Sequence, residues 1–398
     1  MQDNSLTIFF VNSSPQIPLM ELNPNPTPEA AIRRQFKVNA LPCIDPALED
    51  RWEWSIGIQA PQFQRATKVH PGQSFQLLVL LMGYGTDPHM HANVDFAWTL
   101  KDGSGKKVAG AAKLDGIKGR VLHGDFILRP RVGIQVKIPK KAPFGTYTVE
   151  VKAKCHVSKQ QSTSQIDIEY QALDWEGTFS SQEEVAQWME KYAQVPSPEH
   201  LPQAYRIAFQ TLGREQPDSF FVALAFFGEV LRMNPWLGAE IESRWPHMPA
   251  VDQSAFALLL HAARYSAQLP ALKSLLDERM KVPFPSGVDL VAHSVSHPQE
   301  LDFLWAIYRA NGRYATFRRI CTAVAPLPEA LAAVTPQETQ DALVQAAAWS
   351  IDQHIQHHPD AMMYSMALFK EHDLDPRVYM LLEELLRKRN WIPNNDYA

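Results

Sequence analysis

Two histidines near residue 90 have the spacing of a partial metal site. His89 and His91 are two residues apart, so on a β-strand both imidazoles would project to one face. There they could share a zinc or copper ion with Asp87 or Asp95. Residues 83–88 contain two glycines and a proline, however, and predict a loop in which the histidines would be solvated. Both interpretations stay open at this point.

A second histidine group lies near the C-terminus. His357 and His358 follow His354 by three and four residues, which places all three on one face of a helix, as in helices that bind metal ions. The helix would end at Pro359, and histidines in a last turn also bind free carbonyl groups and oppose the helix dipole. Neither histidine group includes the glutamate of an HExxH motif. Metal binding is therefore an alternative hypothesis, and the primary expectation is that the protein has no cofactor.

Residues 101–141 are strongly basic, with eleven Lys and Arg against three Asp. Lysines at a sheet edge prevent aggregation, which is the simplest interpretation. The alternative is a surface for an anionic partner, such as an acidic protein or an envelope-associated polyanion. Nucleic acid is not expected, because the segment lacks interleaved aromatic residues on which bases stack. The candidate residues are Lys106, Lys107, Lys113, Lys118, Arg120, Arg129, Arg131, Lys140 and Lys141.

No complete catalytic motif occurs in the sequence. The GxSxG elbow, the GxxxxGK[ST] phosphate loop and the GxGxxG dinucleotide motif are all absent. The glycines and lysines of residues 103–107 resemble part of a phosphate loop, but their spacing predicts a hairpin turn. The sequence therefore favours a protein that is not an enzyme.

Composition places the chain among ordinary globular proteins. Its 398 residues are 45% hydrophobic and 20% charged, with a net charge of −5 that argues against nucleic-acid binding by the whole molecule. Residues 1–170 carry 20 Lys and Arg against 15 Asp and Glu, whereas the remainder is acidic, as expected for two domains. Cys43, Cys155 and Cys321 allow at most one disulfide, and three free thiols are the simpler expectation.

The sequence predicts neither a transmembrane segment nor a signal peptide. No apolar run approaches the roughly 18 residues that span a bilayer. The apolar residues 6–11 are preceded by no lysine or arginine. The residues as given predict a cytoplasmic protein, with a periplasmic or secreted location as the alternative if Met1 replaces a cleaved signal.

The first half of the chain has the two-residue apolar period of strands. Strands are predicted at residues 6–11, 52–58, 75–82, 94–100, 134–138, 146–154 and 165–170. Residues 69–75 (VHPGQSF), 102–106 (DGSGK) and 138–151 (IPKKAPFGTYTVEV) resemble immunoglobulin-like modules of bacterial proteins. The resemblance covers about residues 50–172. It implies an immunoglobulin-like β-sandwich of a kind that binds or positions other molecules and seldom catalyses.

From Ser180 the apolar period changes to that of a helix. Ser180 and Glu183 have the spacing of a capping box at a helix start. Helix pairs are predicted at residues 220–244, 255–280, 300–324 and 341–371, and a last helix at 378–389. A repeat of about 40 residues fits an α-solenoid, and an irregular bundle is the alternative. Trp188, Trp305 and Trp349 are expected in the helical core.

These patterns predict a two-domain α+β chain. Residues 1–173 are expected to form the immunoglobulin-like β-sandwich, and residues 174–398 an α-helical domain built as a solenoid or as an irregular bundle. Both architectures are commonly used for recognition. We therefore expect a non-catalytic binding or scaffolding protein whose partner is another protein. The sequence does not indicate an oligomeric state.

Overall fold

The computed structural model describes residues 5–7, 35–54, 62–121, 127–130, 133–279 and 287–392. The chain divides into two compact units. Of the described residues, the first contains residues 5–6, 35–44 and Gln64–Leu173, and the second contains residues 7, 45–54, 62–63 and the chain from Asp174 onward. Strands build the first unit and helices build the second.

Eleven strands occur in the described residues. They are β1 (Ser5–Thr7), β2 (Lys37–Cys43), β3 (Gln62–Gln64), β4 (Lys68–Val69), β5 (Ser74–Met82), β6 (His91–Lys101), β7 (Lys107–Arg120), β8 (Ile127–Leu128), β9 (Gln135–Lys137), β10 (Gly145–Cys155) and β11 (Gln161–Tyr170). The predicted strands at 75–82, 94–100, 146–154 and 165–170 are confirmed within these bounds. The turn between β6 and β7 is confirmed as well, because the Asp102 carboxylate accepts hydrogen bonds from the backbone N–H groups of Ser104 and Lys106, each at 3.0 Å.

Nine of these strands form two sheets in the first unit. One has the order β4-β11-β10-β6-β7, with β4 parallel to β11 and the other pairs antiparallel. In the other sheet, β5 pairs with β2 on one side and with both β8 and β9 on the other. Alternate residues face a shared core, so that Tyr147 and Val149 of β10 and Phe75 of β5 are at most 2% exposed.

The predicted immunoglobulin-like β-sandwich is wrong, because the strand order differs. A constant-type immunoglobulin domain divides seven antiparallel strands between sheets of four and three. Here five strands share one sheet, β4 runs parallel to its neighbour, and β5 pairs with two short strands along one edge. Turn residues predict hairpins correctly but do not determine which distant strands pair. The architecture that the structure supports is α+β, with two sheets followed by a helical half.

The strand predicted at residues 52–58 is also wrong. Residues 52–54 lie in helix α1 (Leu48–Trp54), and residues 55–61 fall outside the described part of the chain. The Asp45 carboxylate accepts a hydrogen bond from the Ala47 N–H at 2.8 Å just before this helix. Glu49 and Asp50 occupy the first turn, where negative charge favours the helix dipole. The hydrogen bond before the helix and the acidic residues in its first turn therefore favour a helix over the strand that the two-residue apolar alternation predicts.

The helices of the second unit include all the predicted segments and one long helix, Leu201–Glu215, that was not predicted. After α1 they are α2 (Gln182–Lys191), α3 (Leu201–Glu215), α4 (Pro217–Met233), α5 (Pro235–Arg244), α6 (Ala250–Ala262), α7 (Pro270–Arg279), α8 (Gly287–Ala292), α9 (Pro298–Asn311), α10 (Tyr314–Cys321), α11 (Glu329–Ala332), α12 (Gln337–His357), α13 (Pro359–Phe369) and α14 (Pro376–Lys388). Short 3₁₀ turns occupy Pro198–His200, Trp245–His247 and Thr322–Val324. Six of these helices begin with proline, whose missing N–H costs nothing in a first turn.

The capping box of α2 lies one residue later than predicted. The Ser181 hydroxyl accepts a hydrogen bond from the Glu184 N–H at 3.3 Å. The Glu184 carboxylate in turn accepts one from the Ser180 N–H at 2.6 Å. The sequence offers two adjacent serines and two adjacent glutamates, so the pattern fixes the cap only to within one residue.

The helices pack as an irregular bundle rather than as a solenoid. Helix α9 packs closely against α4, although the predicted pair at 255–280 lies between them in the sequence. In a solenoid each repeat contacts only its sequence neighbours. A core cluster formed by α9, α10, α12, α13 and α14 includes Leu304, Phe317 and Ile351, none of which is measurably exposed.

A buried ion network holds α1 in the second unit. The Arg51 side chain is 2% exposed and lies between Asp45, which is fully buried, and Asp360. Its Nε donates to Asp360 at 3.0 Å, and its terminal nitrogens donate to Asp45 and to the Ala193 carbonyl. Burial acts to lower the pKa of Arg51, but the carboxylates of Asp360 and Asp45 outweigh it and raise the pKa. The guanidinium therefore stays charged inside the unit.

Two further observations concern the cysteines and the helix lengths. All three cysteines are buried, and none of them forms a disulfide. No single helix in the described part of the chain is long and apolar enough to cross a membrane. The consecutive segments Pro217–Met233 and Pro235–His247 meet that test only together, and they are bent by 98° relative to each other.

Candidate functional site

His89 lies in a tight turn before β6, and His91 is the first residue of that strand. The Asp87 carboxylate accepts hydrogen bonds from the N–H groups of His89 and His91 at 2.9 and 2.8 Å, and these bonds lower its pKa. Met90 between the histidines has a φ of 65°. The two imidazole centroids are 6.3 Å apart, and His91 is half exposed. Asp87 thus stabilises the turn that presents both rings to solvent.

Asp95, the other carboxylate proposed for this group, is directed to different partners. Its Oδ2 lies 2.9 Å from Nε2 of His156, and its carboxylate is within 3.7 Å of the ammonium groups of Lys113 and Lys118. Desolvation opposes these contacts, but together they lower the pKa of Asp95. The carboxylate is therefore part of a charge cluster on the β6–β7 surface.

The C-terminal histidines contribute to a polar network that joins α2, α9 and α12. His354 Nδ1 lies 2.8 Å from the Ser350 carbonyl and therefore donates to it, which leaves Nε2 to accept from Arg309 Nη2 at 3.2 Å. The His354 ring stacks on Trp305, with centroids 3.6 Å apart. Arg309 also pairs with Glu190, whose other oxygen lies 3.0 Å from His358 Nε2.

The network lowers the pKa values of His354 and Glu190, which favours a neutral histidine and an ionised glutamate. Burial lowers the pKa of His354 to about 4, and the neighbouring charges of Arg309 and His358 act in the same direction. The hydrogen bond from His358, together with the charge of Arg309, lowers the pKa of Glu190 to about 2 despite its desolvation. Near neutral pH the network therefore contains a neutral His354 and an ionised Glu190.

This arrangement leaves His354 without a free lone pair. Nδ1 holds its proton against a carbonyl, and Nε2 faces a guanidinium, so neither nitrogen is open to a metal ion or a substrate proton. Among the described residues, no group of three or more His, Cys, Asp or Glu could hold a metal ion. The side chain of His357 lies outside the described residues, so its predicted role as a ligand stays a prediction.

The basic candidates are distributed over separate elements. Lys106, Lys107, Lys113, Lys118 and Arg120 lie on the exposed β6–β7 turn and on β7, the edge strand of the five-stranded sheet. Lys118 pairs with Asp115 at 2.5 Å.

The other basic candidates lie away from β7. Lys140 and Lys141 occupy the turn between β9 and β10, Arg129 directly follows β8, and Arg131 lies outside the described residues. The sequence predicts the whole set as one surface, whereas the described structure aligns five of its members along one edge.

Trp349 was predicted in the core, and this prediction is wrong because the residue is 69% exposed. Helix α12 buries a stripe with a spacing of four residues: Leu343, Ala347, Ile351 and Ile355. Trp349 lies two residues from this stripe, which corresponds to about 200° around the helix. That offset is visible in the sequence and would have identified Trp349 as an outward residue. Trp305, by contrast, is 4% exposed, as predicted.

The helix surface around Trp349 is almost uncharged. We define the tryptophan face as Gln345, Ala346, Trp349, Gln353 and Gln356, which share one side of α12 at three- and four-residue spacing. Asp352 borders this face, but its carboxylate is bound by Lys388 at 3.1 Å and by Arg389. An exposed indole in such surroundings is a candidate contact surface for another protein.

Comparisons with known proteins identify no relative from which a function could be transferred. No protein-family model and no curated protein matches the chain. Spo0M, a sporulation control protein from Bacillus subtilis, matches 39% of this chain and 55% of its own length at 15% identity and a TM-score of 0.19. A family 123 glycoside hydrolase from Clostridium perfringens matches 46% of this chain and 36% of its own length, at 11% identity and a TM-score of 0.20.

The α-2-macroglobulin of E. coli matches more of this chain, at 83%, but only 26% of its own length. Its identity is 12% and its TM-score 0.18. This chain therefore spans between about a quarter and just over half of the lengths of these three proteins. The low TM-scores mean that the similarities carry no argument about fold or activity.

Proposed function

We propose that this protein is a non-catalytic binding or scaffolding protein that contacts another protein through the tryptophan face. The observation that carries the proposal is the 69% exposure of Trp349 on an ordered helix. The buried stripe on the opposite side of α12 already anchors that helix, so the fold does not need an indole at this position.

The energetics favour a partner that covers the indole. A tryptophan side chain buries about 200 Å² when fully enclosed. The exposed 69% therefore offers about 3 kcal/mol of hydrophobic stabilisation at roughly 25 cal/mol per Å². Tryptophan is enriched among the few residues that dominate protein interfaces. Because the surrounding glutamines and alanine are uncharged, covering this face requires no desolvation of an ion.

The proposal is tested by site-specific photo-crosslinking in the native host. A photoreactive amino acid at position 349 should give a discrete adduct with one protein, which mass spectrometry can identify. The matched control is position 251 on α6, where Val251 is 54% exposed. Equal adduct patterns at the two positions, or no adduct at 349, would overturn the proposal.

The identified partner then allows a quantitative test with purified proteins. Trp349→Ala should weaken binding at least about tenfold, and Trp349→Phe should retain part of the affinity because an aromatic ring remains. Isothermal titration calorimetry measures both variants. Unchanged affinity in Trp349→Ala would mean that the crosslinked protein is only a neighbour.

A second candidate function is binding of a polyanion along β7. Its supporting observation is the row of exposed basic residues on an edge strand, including Lys106 and Lys107. Affinity for a sulfated polysaccharide should then fall steeply as the salt concentration rises. The double variant Lys106→Gln/Lys107→Gln should reduce the steepness of log affinity against log salt concentration by about two. A response that does not change with salt would remove this candidate.

A further inference from the structure

A small cavity lies in the second unit beside the end of α10. It has a volume of about 140 Å³ and is lined by Ser294, Val295 and Arg319, by Thr322 and Ala323 of the 3₁₀ turn, and by residues 325–328. Val295 and Ala323 are almost fully buried, whereas Pro326 and Pro328 are exposed. The cavity therefore combines apolar walls with a side that solvent can reach.

Arg319 is the one charged side chain among the residues that line this cavity. Its Nε is buried and has no hydrogen-bond partner within the described structure, and its Nη1 makes only a long contact of 3.5 Å with the Thr322 hydroxyl. Burial lowers the pKa of Arg319. A buried N–H without an acceptor is unfavourable, and more so when the group is charged.

The acidic residues nearby do not satisfy this guanidinium. Glu300 acts on Arg319 through its charge, but its carboxylate accepts hydrogen bonds from the Ser296 and His297 N–H groups at 2.6 and 3.2 Å. The adjacent Arg318 shows the contrast, since it forms an ion pair with Glu371 at 3.0 Å. Arg319 thus lines the cavity with no ion pair in the described structure, whereas its neighbour in sequence is paired.

We propose that this cavity binds a small carboxylate, with the Arg319 guanidinium as its counter-ion. An arginine presents paired donors that match the two oxygens of a carboxylate. The hydroxyl group of Ser294 adds a polar contact at the same wall, and Val295, Ala323 and Leu327 contact an apolar tail. The Thr322 hydroxyl already donates to the Arg319 carbonyl at 2.9 Å.

The volume limits the size of the ligand. A protein cavity of about 150 Å³ accepts benzene, so 140 Å³ is enough for an acid with a carboxylate and two or three further carbon atoms. A short free acid fits this limit better than the carboxyl end of a peptide chain, which brings additional backbone atoms. Propanoate and N-acetylalanine are the probes that distinguish the two sources.

The experiment follows methyl NMR signals of the full chain during titration with propanoate. We expect saturable shifts of the Val295 and Leu327 methyl signals, with at least about tenfold weaker binding of propionamide, which has the same shape without the charge. Binding should be lost in Arg319→Gln and kept in Arg313→Gln, a control at an exposed arginine near the start of the same helix. N-acetylalanine should bind more weakly than propanoate; equal binding would assign the site to the end of a peptide chain.

Three outcomes would overturn the proposal. Propionamide could bind as tightly as propanoate, the shifts could occur away from Val295 and Leu327, or Arg319→Gln could leave the affinity unchanged. If Arg319→Gln does not fold, the affinities of the unsubstituted protein for propanoate and propionamide still test the proposal, because that comparison needs no substitution.

Discussion

Replacing Arg51 by methionine tests whether the buried ion network is an important contributor to the stability of the helical unit. The substitution keeps most of the side-chain volume but leaves the fully buried Asp45 without its cation. Breaking a buried pair by removing one partner costs about 3–5 kcal/mol. The Ala193 carbonyl also loses its donor, which adds about 1 kcal/mol, whereas Asp360 is 22% exposed and can bind water. We expect Arg51→Met to lower the free energy of unfolding by about 5 kcal/mol near neutral pH.

The pH dependence of this loss has a defined sign. Burial already raises the pKa of Asp45 above its ordinary value of 3.8, and Arg51 opposes that rise. Without Arg51 the folded-state pKa rises further, so the variant takes up a proton on folding. The destabilisation is therefore small near the unfolded pKa and grows as the pH rises through the folded value. The double variant Arg51→Met/Asp45→Asn removes the uncompensated charge and should recover about 2 kcal/mol of the loss.

Urea unfolding monitored by far-UV circular dichroism measures these differences, because the helical signal comes mainly from the second unit. The matched control is Arg387→Met on α14. Arg387 pairs with Glu383 at 2.6 Å, but both side chains are 31% exposed, so this substitution should cost less than about 1 kcal/mol. A loss below about 1 kcal/mol in Arg51→Met, or a double variant as unstable as the sum of its single variants, would refute the reasoning.

Three further predictions use the same unfolding assay. Trp349→Ala should change stability by no more than about 0.5 kcal/mol, whereas the buried Trp305→Ala should cost about 3–5 kcal/mol; similar losses would contradict the outward position of Trp349. Burial lowers the pKa of His354 from 6.5 to about 4, so stability should fall as the pH drops through this range, and His354→Phe should flatten that dependence. Gly312 ends α9 with a φ of 60°, and an added Cβ would lie 3.2 Å from the Arg51 guanidinium, so Gly312→Ala should cost about 1–2 kcal/mol.

Helix positions were predictable because their signals are local. The apolar period, together with prolines such as Pro217 and Pro298 at the first helical position, fixes most boundaries of α4 and α9 within three residues. The hairpin turn at residues 102–105 was predictable for the same reason, since its hydrogen bonds join neighbouring residues. Local chemistry of this kind is fully contained in a short stretch of sequence.

Pairing over long distances was not predictable. Residues 69–75 and 138–151 indicate strands and turns, but nothing in them shows that β4 pairs in parallel with β11 about a hundred positions later. The error at residues 52–54 has a similar cause. Their alternation is compatible with a strand, and the contacts of Arg51 with Ala193 and Asp360, 142 and 309 positions away, favour the helix.

The difference between local signals and long-range contacts also explains which candidate residues the structure supports. His354 and His358 have metal-like spacing in the sequence, yet Arg309 of α9 and Glu190 of α2 contact their Nε2 atoms, and the Ser350 carbonyl binds Nδ1 of His354. Trp349 and Arg319 have no recognisable motif, and they stand out only because the fold leaves an indole uncovered and a guanidinium Nε without an acceptor in the described structure. In this chain, sequence spacing indicates which residues could act together. Exposed apolar surface and donors without an acceptor indicate where a partner or ligand can still contribute free energy. The latter criterion is physical, because a group that is already satisfied gains little from any additional contact.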